Sequence, residues 1–314
     1  MKSIREFCTI MNSRSGRLAV MIVALLAATA SNHSHANELS FEDLHVEVIG
    51  KGRPLLMIPG LNSSAEVWRD TCKALQPQVQ CHIIQLPGFA GQPPVQDAHW
   101  VDSMRDRVLA YADHAKLKHP DVIGHSLGGF LGLQLAIKAP DRFGHLIVVD
   151  SLPFLGGARD PAATTESVKP VADGMRAGML AADETTYQAQ LRGGVASLSN
   201  QPERIPTLAQ WGAASDRQTT VKAMYELMTT DLRPVLGGSK TPTLVLGSWA
   251  SYAPYGGTKA ATLATIQQQY ANLPNVRIEL SETGYHFLMW DDPQWLQQQV
   301  REFLKLPAAT ADKS

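Results

Sequence analysis

Gly124-His125-Ser126-Leu127-Gly128 holds a serine between glycines at minus two and plus two, with an apolar run before it and a helical pattern after it. Asp121 to Ile123 reads as a buried strand, and Phe130-Leu131-x-Leu133-x-Leu135-Ala136 reads as a helix. A serine on a sharp strand-to-helix turn projects its hydroxyl above a sheet, ready for nucleophilic attack on a carbonyl carbon. The glycines stand where a Cβ would meet the neighbouring strand and helix. Such a serine needs a base. His286, in Glu282-Thr283-Gly284-Tyr285-His286-Phe287, follows the last predicted strand and precedes the last predicted helix. A loop there lies at the carboxyl edge of a parallel sheet, where the serine turn also opens. Its imidazole can accept the serine proton during attack and return it to the leaving group. His125 adjoins the serine, and its side chain is expected to point away from the catalytic face. No His-Glu-x-x-His or comparable ligand spacing occurs, so neither a metal site nor a cofactor is expected.

The elements that must position these residues alternate between strand and helix. Strands are predicted at Leu44 to Val48, Leu55 to Ile58, Val79 to Leu86, Asp121 to Gly124, Leu146 to Asp150, Thr243 to Gly247 and Val276 to Leu280. Several are continuous apolar runs, as in strands buried on both faces of a parallel sheet. Helices are predicted near Glu66 to Leu75, Asp102 to Ala115, Thr258 to Tyr270 and Gln294 to Leu304. This order implies the α/β class. Between Gly156 and Pro234 the pattern becomes purely helical and is broken by Pro161, Pro170, Pro202 and Pro206, so a helical insertion interrupts the sheet. The expected organisation is a signal peptide over 1–36, a first core segment over 37–155, a helical lid over 156–235, a second core segment over 236–306 and a loose tail over 307–314.

Lys2, Arg5, Arg14 and Arg17 precede or flank an apolar run, Leu18 to Ala30, and Ser34-His35-Ala36 supplies small residues before Asn37. That pattern is a cleavable export signal, and it places the mature chain in the periplasm or outside the cell, with no membrane span left after cleavage. Losing those four bases and Glu6 takes the net charge from −1 to −4, which gives no reason to expect nucleic acid as a partner. Of three cysteines, Cys72 and Cys81 remain, and in an oxidising compartment they are expected to form a disulfide.

The Gly124-to-Gly129 turn, Pro59-Gly60-Leu61, Leu86-Pro87-Gly88-Phe89 and the late His286 together resemble the α/β-hydrolase family of the lipase and esterase type, over essentially the whole chain from residue 37. The resemblance implies a mostly parallel sheet flanked by helices with a helical lid, and a triad in the order serine, acid, histidine. It also implies an oxyanion hole from the backbone N–H groups of Leu61 and Leu127. The sequence departs from the family's usual pattern in the acid. The loop after the first strand beyond the insertion, Ser248-Trp249-Ala250-Ser251-Tyr252-Ala253-Pro254-Tyr255, has no carboxylate. Some members place the acid at the end of the strand before the insertion, which here is Asp150. Asp216 is the second candidate, and its position suits capping the helix that begins there better than catalysis. Asp231 and Asp291 are expected to be structural.

The expected function is an exported serine hydrolase that cleaves a carboxylic ester or thioester of a small molecule through an acyl-enzyme on Ser126. Lactonase, aminopeptidase and cofactor-free haloperoxidase chemistries use the same residues and stay open. So does a non-catalytic binding protein of this fold. Epoxide hydrolase and dehalogenase chemistry would require an aspartate where Ser126 stands.

Overall fold

A computed structural model of the protein describes residues 37–307. The expected export segment, 1–36, and residues 308–314 of the expected tail lie outside the described residues. The chain opens with β1 (Asn37–Phe41), β2 (Leu44–Gly50) and β3 (Arg53–Ile58). Next come α1 (Arg69–Leu75), β4 (Val79–Gln85), α2 (Trp100–His114), β5 (Asp121–His125), α3 (Leu127–Lys138) and β6 (Leu146–Val149). Four helices follow before the sheet resumes: α4 (Thr165–Ala181), α5 (Glu184–Val195), α6 (Ile205–Ala213) and α7 (Arg217–Thr229). The chain ends with β7 (Thr243–Gly247), α8 (Lys259–Gln269), β8 (Val276–Leu280), α9 (Leu288–Asp291) and α10 (Pro293–Leu304).

The strands form one sheet in the order β1-β2-β4-β3-β5-β6-β7-β8, in which β2 pairs antiparallel with both β1 and β4 and every other pairing is parallel. Alternation along the central strands divides the core. Leu56, Ile58, Val122 and Val148 pack on one face against Met104 and Val108 of α2, Phe130 and Leu131 of α3 and Ile266 of α8. Leu55, Met57, Ile123, Ile147 and Val149 pack on the other against Leu75 of α1, Leu288 of α9 and Leu296, Val300 and Leu304 of α10. Successive strand residues point to opposite faces, and a strand covered on both sides is apolar at every position, which is why these runs were readable as buried.

β1 was not expected from the sequence. It pairs with β2 across a two-residue turn, Glu42 and Asp43, both at positive φ (44° and 67°). A two-residue hairpin needs that backbone to match strand twist, but its usual residues are asparagine and glycine, so this pair gives little signal. The insertion is two helix pairs, α4 along α7 and α5 along α6. It is anchored to the core at α7, where the Glu226 carboxylate accepts from the N–H groups of Trp100 (3.0 Å) and Val101 (2.7 Å) at the start of α2. Among the described residues no helix is long and apolar enough to cross a membrane. Cys72 of α1 and Cys81 of β4 are joined by a disulfide.

One buried histidine gives the fold a definite acid sensitivity. His82 of β4 is buried, accepts from the Tyr111 hydroxyl at Nδ1 (2.7 Å) and donates from Nε2 to Gln80 Oε1 (3.2 Å). Burial lowers its pKa from 6.5 to about 4. The unfolded chain therefore binds this proton first as pH falls, so the neutral ring's contribution is complete above pH 6.5 and is lost between pH 6.5 and about 4. The loss amounts to about 3 kcal/mol. Urea melts at intervals from pH 7.5 to 4 are expected to show this acid limb, and His82→Gln is expected to flatten it. An equally steep limb in that variant would rule His82 out as its source.

Candidate active site

Ser126 sits where β5 gives way to α3, at φ 52° and ψ −117°. A non-glycine residue holds such a backbone only when its surroundings over-determine it. Here they do. A Cβ on Gly124 would come within 2.1 Å of the Gly128 carbonyl oxygen and 2.6 Å of the Gly129 nitrogen. One on Gly128 would lie 2.2 Å from the Ile58 oxygen and 2.6 Å from the Pro59 oxygen. The glycines thus let the turn, the end of β3 and the first turn of α3 share one small volume. Ser126 N donates to Val149 O at 2.9 Å, which sets the serine beside the end of β6.

The residue after Val149 is Asp150, also at positive φ (45°). Its N–H donates to Leu246 O (2.7 Å), and its Oδ1 accepts from the Ser248 N–H (2.8 Å). Oδ2 accepts from His286 Nδ1 at 2.6 Å. The histidine lies in the loop between β8 and α9. Because a carboxylate can only accept, Nδ1 carries the proton and Nε2 is left as the acceptor. The structure therefore brings Asp150 and His286 together, beside Ser126 at the carboxyl ends of β5 and β6. Among the described residues Ser126 Oγ has no hydrogen-bond partner. Such contacts are commonly loose without substrate and tighten when it binds.

Two backbone N–H groups lie close to the serine. Leu127 N–H is the first of α3, where the helix leaves donors without internal partners and its dipole favours negative charge. Leu61 follows Gly60, and a Cβ on Gly60 would lie 3.1 Å from Ser126 Cβ, so this turn passes directly against the elbow. Among the described residues neither the Leu61 nor the Leu127 N–H has a hydrogen-bond partner.

Asp216 lies elsewhere: its Oδ1 accepts from Thr219 N (2.8 Å) and caps α7. Asp231 pairs with Arg233. The loop from Ser248 to Gly257 contributes only the Ser248 backbone to the acid, and carries Tyr252 and Tyr255 exposed.

His125 departs from its expected place. Its side chain leaves β5 on the face that holds Phe287, but the His286 loop folds over that same face and covers it. The His125 ring lies 4.5 Å from the His286 ring and 4.7 Å from the Phe287 ring, and Nε2 donates to the His286 carbonyl oxygen (3.0 Å). Burial, then the charge of His286, hold its pKa well below the usual histidine range. It stays neutral as a fixed donor beneath the base.

Asp291 is the second residue whose role the sequence did not reveal. Its Oδ2 accepts from Tyr285 N (3.0 Å), next to His286, and its Oδ1 from the Ser199 hydroxyl (2.5 Å). Burial raises its pKa, against the pull of those bonds. Ser199 belongs to the insertion, as do its neighbours: Leu198 O accepts from Phe287 N (3.2 Å), Asn200 Nδ2 donates to Thr283 O (2.9 Å), and Gln201 Nε2 donates to Trp290 O. The segment linking α5 to α6 is thereby strapped across the histidine loop. Apart from Tyr285, six residues before Asp291, these partners are distant in sequence, so no local pattern announces them. Among the described residues no three His, Cys, Asp or Glu side chains come together as a metal-binding group.

The chain was compared with known proteins. It is 26% identical over 274 residues to a protein named as a candidate carbamate hydrolase, RutD, from Rhizobium rhizogenes, covering 83% of this chain and 98% of that one. It is 32% identical over 168 residues to the pimeloyl-[acyl-carrier protein] methyl ester esterase of Edwardsiella ictaluri, covering 54% of this chain and 56% of the relative. An esterase from Exiguobacterium antarcticum shares the fold, with a TM-score of 0.70 at 15% identity over 86% of this chain and all of that one. The profile described as "Alpha/beta hydrolase family" matches residues 55–298, from β3 to within α10. That span takes in Ser126, Asp150 and the His286 loop alike, and the chain belongs to the alpha/beta hydrolase family.

Proposed function

We propose that the protein is an exported serine hydrolase that cleaves a small-molecule carboxylic ester or thioester, with Ser126 as nucleophile, His286 as base and Asp150 as acid. The observation that carries this reading is the 2.6 Å bond from His286 Nδ1 to Asp150, which leaves Nε2 free to accept a proton beside the elbow. Ser126 Oγ attacks the carbonyl carbon as His286 Nε2 takes its proton. The negative charge that develops on the carbonyl oxygen is met by the Leu61 and Leu127 N–H groups, and Asp150 stabilises the imidazolium. Collapse expels the alcohol or thiol, protonated by His286, and leaves Ser126 acylated. Water, deprotonated by the same nitrogen, then hydrolyses the acyl-enzyme. No cofactor takes part in these steps.

The relatives support the class of bond. One is named for a methyl ester and one for a carbamate, each a carbonyl bound to a heteroatom leaving group. Export is supported by the basic and apolar pattern of residues 1–36 and by the Cys72–Cys81 disulfide, a bond that persists in oxidising compartments.

The test is intact-mass analysis after exposure to a fluorophosphonate. One adduct is expected on the wild-type chain and none on Ser126→Ala. A folded wild-type protein that takes no adduct would reject the acyl-enzyme reading and favour a binding protein of this fold.

A further inference from the structure

We propose that Thr220, on α7 of the insertion, is a positioning residue for the oxyanion loop, acting through Asn62. This rests on the acyl-enzyme reading above and assigns part of its control to the insertion.

Asn62 follows Leu61 directly and holds its backbone in the left-handed region, at φ 57°. Asparagine tolerates that region better than most residues, but the conformation persists only if something holds it. The Leu61 N–H lies in the peptide between Gly60 and Leu61, so its aim is set by the backbone on either side. Gly60 has no side chain, and that of Leu61 is apolar. In this three-residue turn Asn62 alone has a polar side chain, and that side chain is bonded to a distant element. The Thr220 hydroxyl donates to Asn62 Oδ1 at 2.6 Å, across 158 positions of sequence, with the Asp216 carbonyl oxygen one turn back as a second, longer acceptor at 2.9 Å.

Thr220 is a fixed point. It is buried at 1% exposure, one turn into a helix that is tied to the core at both ends. At the start of α7, Asp216 N donates to Gly88 O (2.8 Å), and just before it Ala90 N donates to the Ser215 hydroxyl (2.9 Å). Near the other end, Glu226 holds the start of α2. The insertion therefore reaches the reaction centre on two sides: the Leu198-to-Gln201 strap on the histidine loop, and Thr220 on the loop that presents Leu61. Seating α7 then sets the direction of one of the two donors that receive the developing negative charge.

Three variants test this. Thr220→Val removes the hydroxyl and keeps the branched shape. Thr220→Ser keeps the hydroxyl. Asn62→Gly removes the amide while keeping a positive φ at no strain. Complete loss of one oxyanion donor costs about 10²–10³ in kcat, and misaiming it in Thr220→Val is expected to cost about tenfold, with KM within about twofold. Affinity for an alkyl trifluoromethyl ketone, whose adduct places an oxyanion in the same position, is expected to fall by the same factor as kcat/KM. Thr220→Ser is expected to restore both. Asn62→Gly should match Thr220→Val in turnover, and the double variant should lose no more than either, because both remove the Thr220–Asn62 bond and the Asp216 contact that Thr220→Val also loses lies within the first turn of α7.

Unchanged kcat and ketone affinity in folded Thr220→Val would overturn the proposal, as would losses that add in the double variant. If Thr220→Val does not fold, Asn62→Gly decides alone, and wild-type turnover in it would overturn the proposal. Fluorophosphonate labelling separates this from the reading beneath it. An unlabelled wild type sinks the acyl-enzyme. A labelled wild type whose rate Thr220→Val and Asn62→Gly both match sinks only the role of Thr220.

Discussion

Asp150→Asn is expected to lower kcat on an activated ester by about 10⁴ without unfolding the protein. The reason lies in what already fixes the acid. Ser248 N–H donates to Oδ1, and only an oxygen can accept there, so the new amide must keep its oxygen on Ser248 and turn its NH₂ toward His286. Nδ1 of the imidazole then faces a donor and must become the acceptor, which moves the ring proton to Nε2. A histidine protonated at Nε2 cannot take the proton of Ser126. Substrate binding is not expected to change in proportion, since neither oxyanion donor moves. Asp216→Asn and Asp231→Asn are the comparison. The first weakens a helix cap and the second a salt bridge, and both are expected to turn over within a few-fold of wild type. Turnover above a tenth of wild type in folded Asp150→Asn would remove Asp150 from the triad and return attention to Asp216.

Gly128→Ala is expected to destabilise the protein strongly. Its Cβ would lie 2.2 Å from the Ile58 oxygen and 2.6 Å from the Pro59 oxygen, more than 1 Å inside ordinary contact. Both obstacles are backbone, so no rotamer change relieves them, and the end of β3 must part from α3. A cost above about 4 kcal/mol, read as a fall in the urea midpoint or as insoluble protein, follows from overpacking at a site that cannot relax. Gly178→Ala, on α4 with nothing within 4 Å of the new carbon, is expected to stabilise by up to about 1 kcal/mol through helix propensity alone. A Gly128→Ala protein as stable as wild type would mean that the elbow is less tightly packed than these distances require.

What could be read from the chain, and what could not, divides along sequence distance. The elbow is local: a strand, two glycines and a helix within a dozen residues, each required by the turn. The double-sided strands carry their burial in their own composition. His286 and Asp150 were readable as positions at strand ends, and Asp150 stood out because the loop from Ser248 to Tyr255 has no carboxylate. The contacts that hold these residues were not readable. His125 beneath His286, Ser199 on Asp291 and Thr220 on Asn62 join segments at least 90 positions apart, and none has a periodic or turn signature. His125 was misplaced for a related reason. Strand alternation gives the face a side chain leaves by, but not what loop later returns to cover it. β1 was missed because its turn uses Glu42 and Asp43, which reach positive φ without the residues that usually advertise it.

With Asp150, just past the end of β6, as the proposed acid, the loop after β7 is left with little part in the chemistry. Among the described residues the loop from Ser248 to Gly257 bonds to Asp150 through the Ser248 amide alone, a group that any residue but proline supplies. Yet it lies next to the acid and displays Tyr252 and Tyr255 at 54% and 85% exposure. The Ser126–Val149 and Asp150–His286 bonds tie the β5, β6 and β8 loops together, whereas Ala250 to Gly257 can be rewritten by a designer with those bonds intact, provided Trp249 keeps its place against the core.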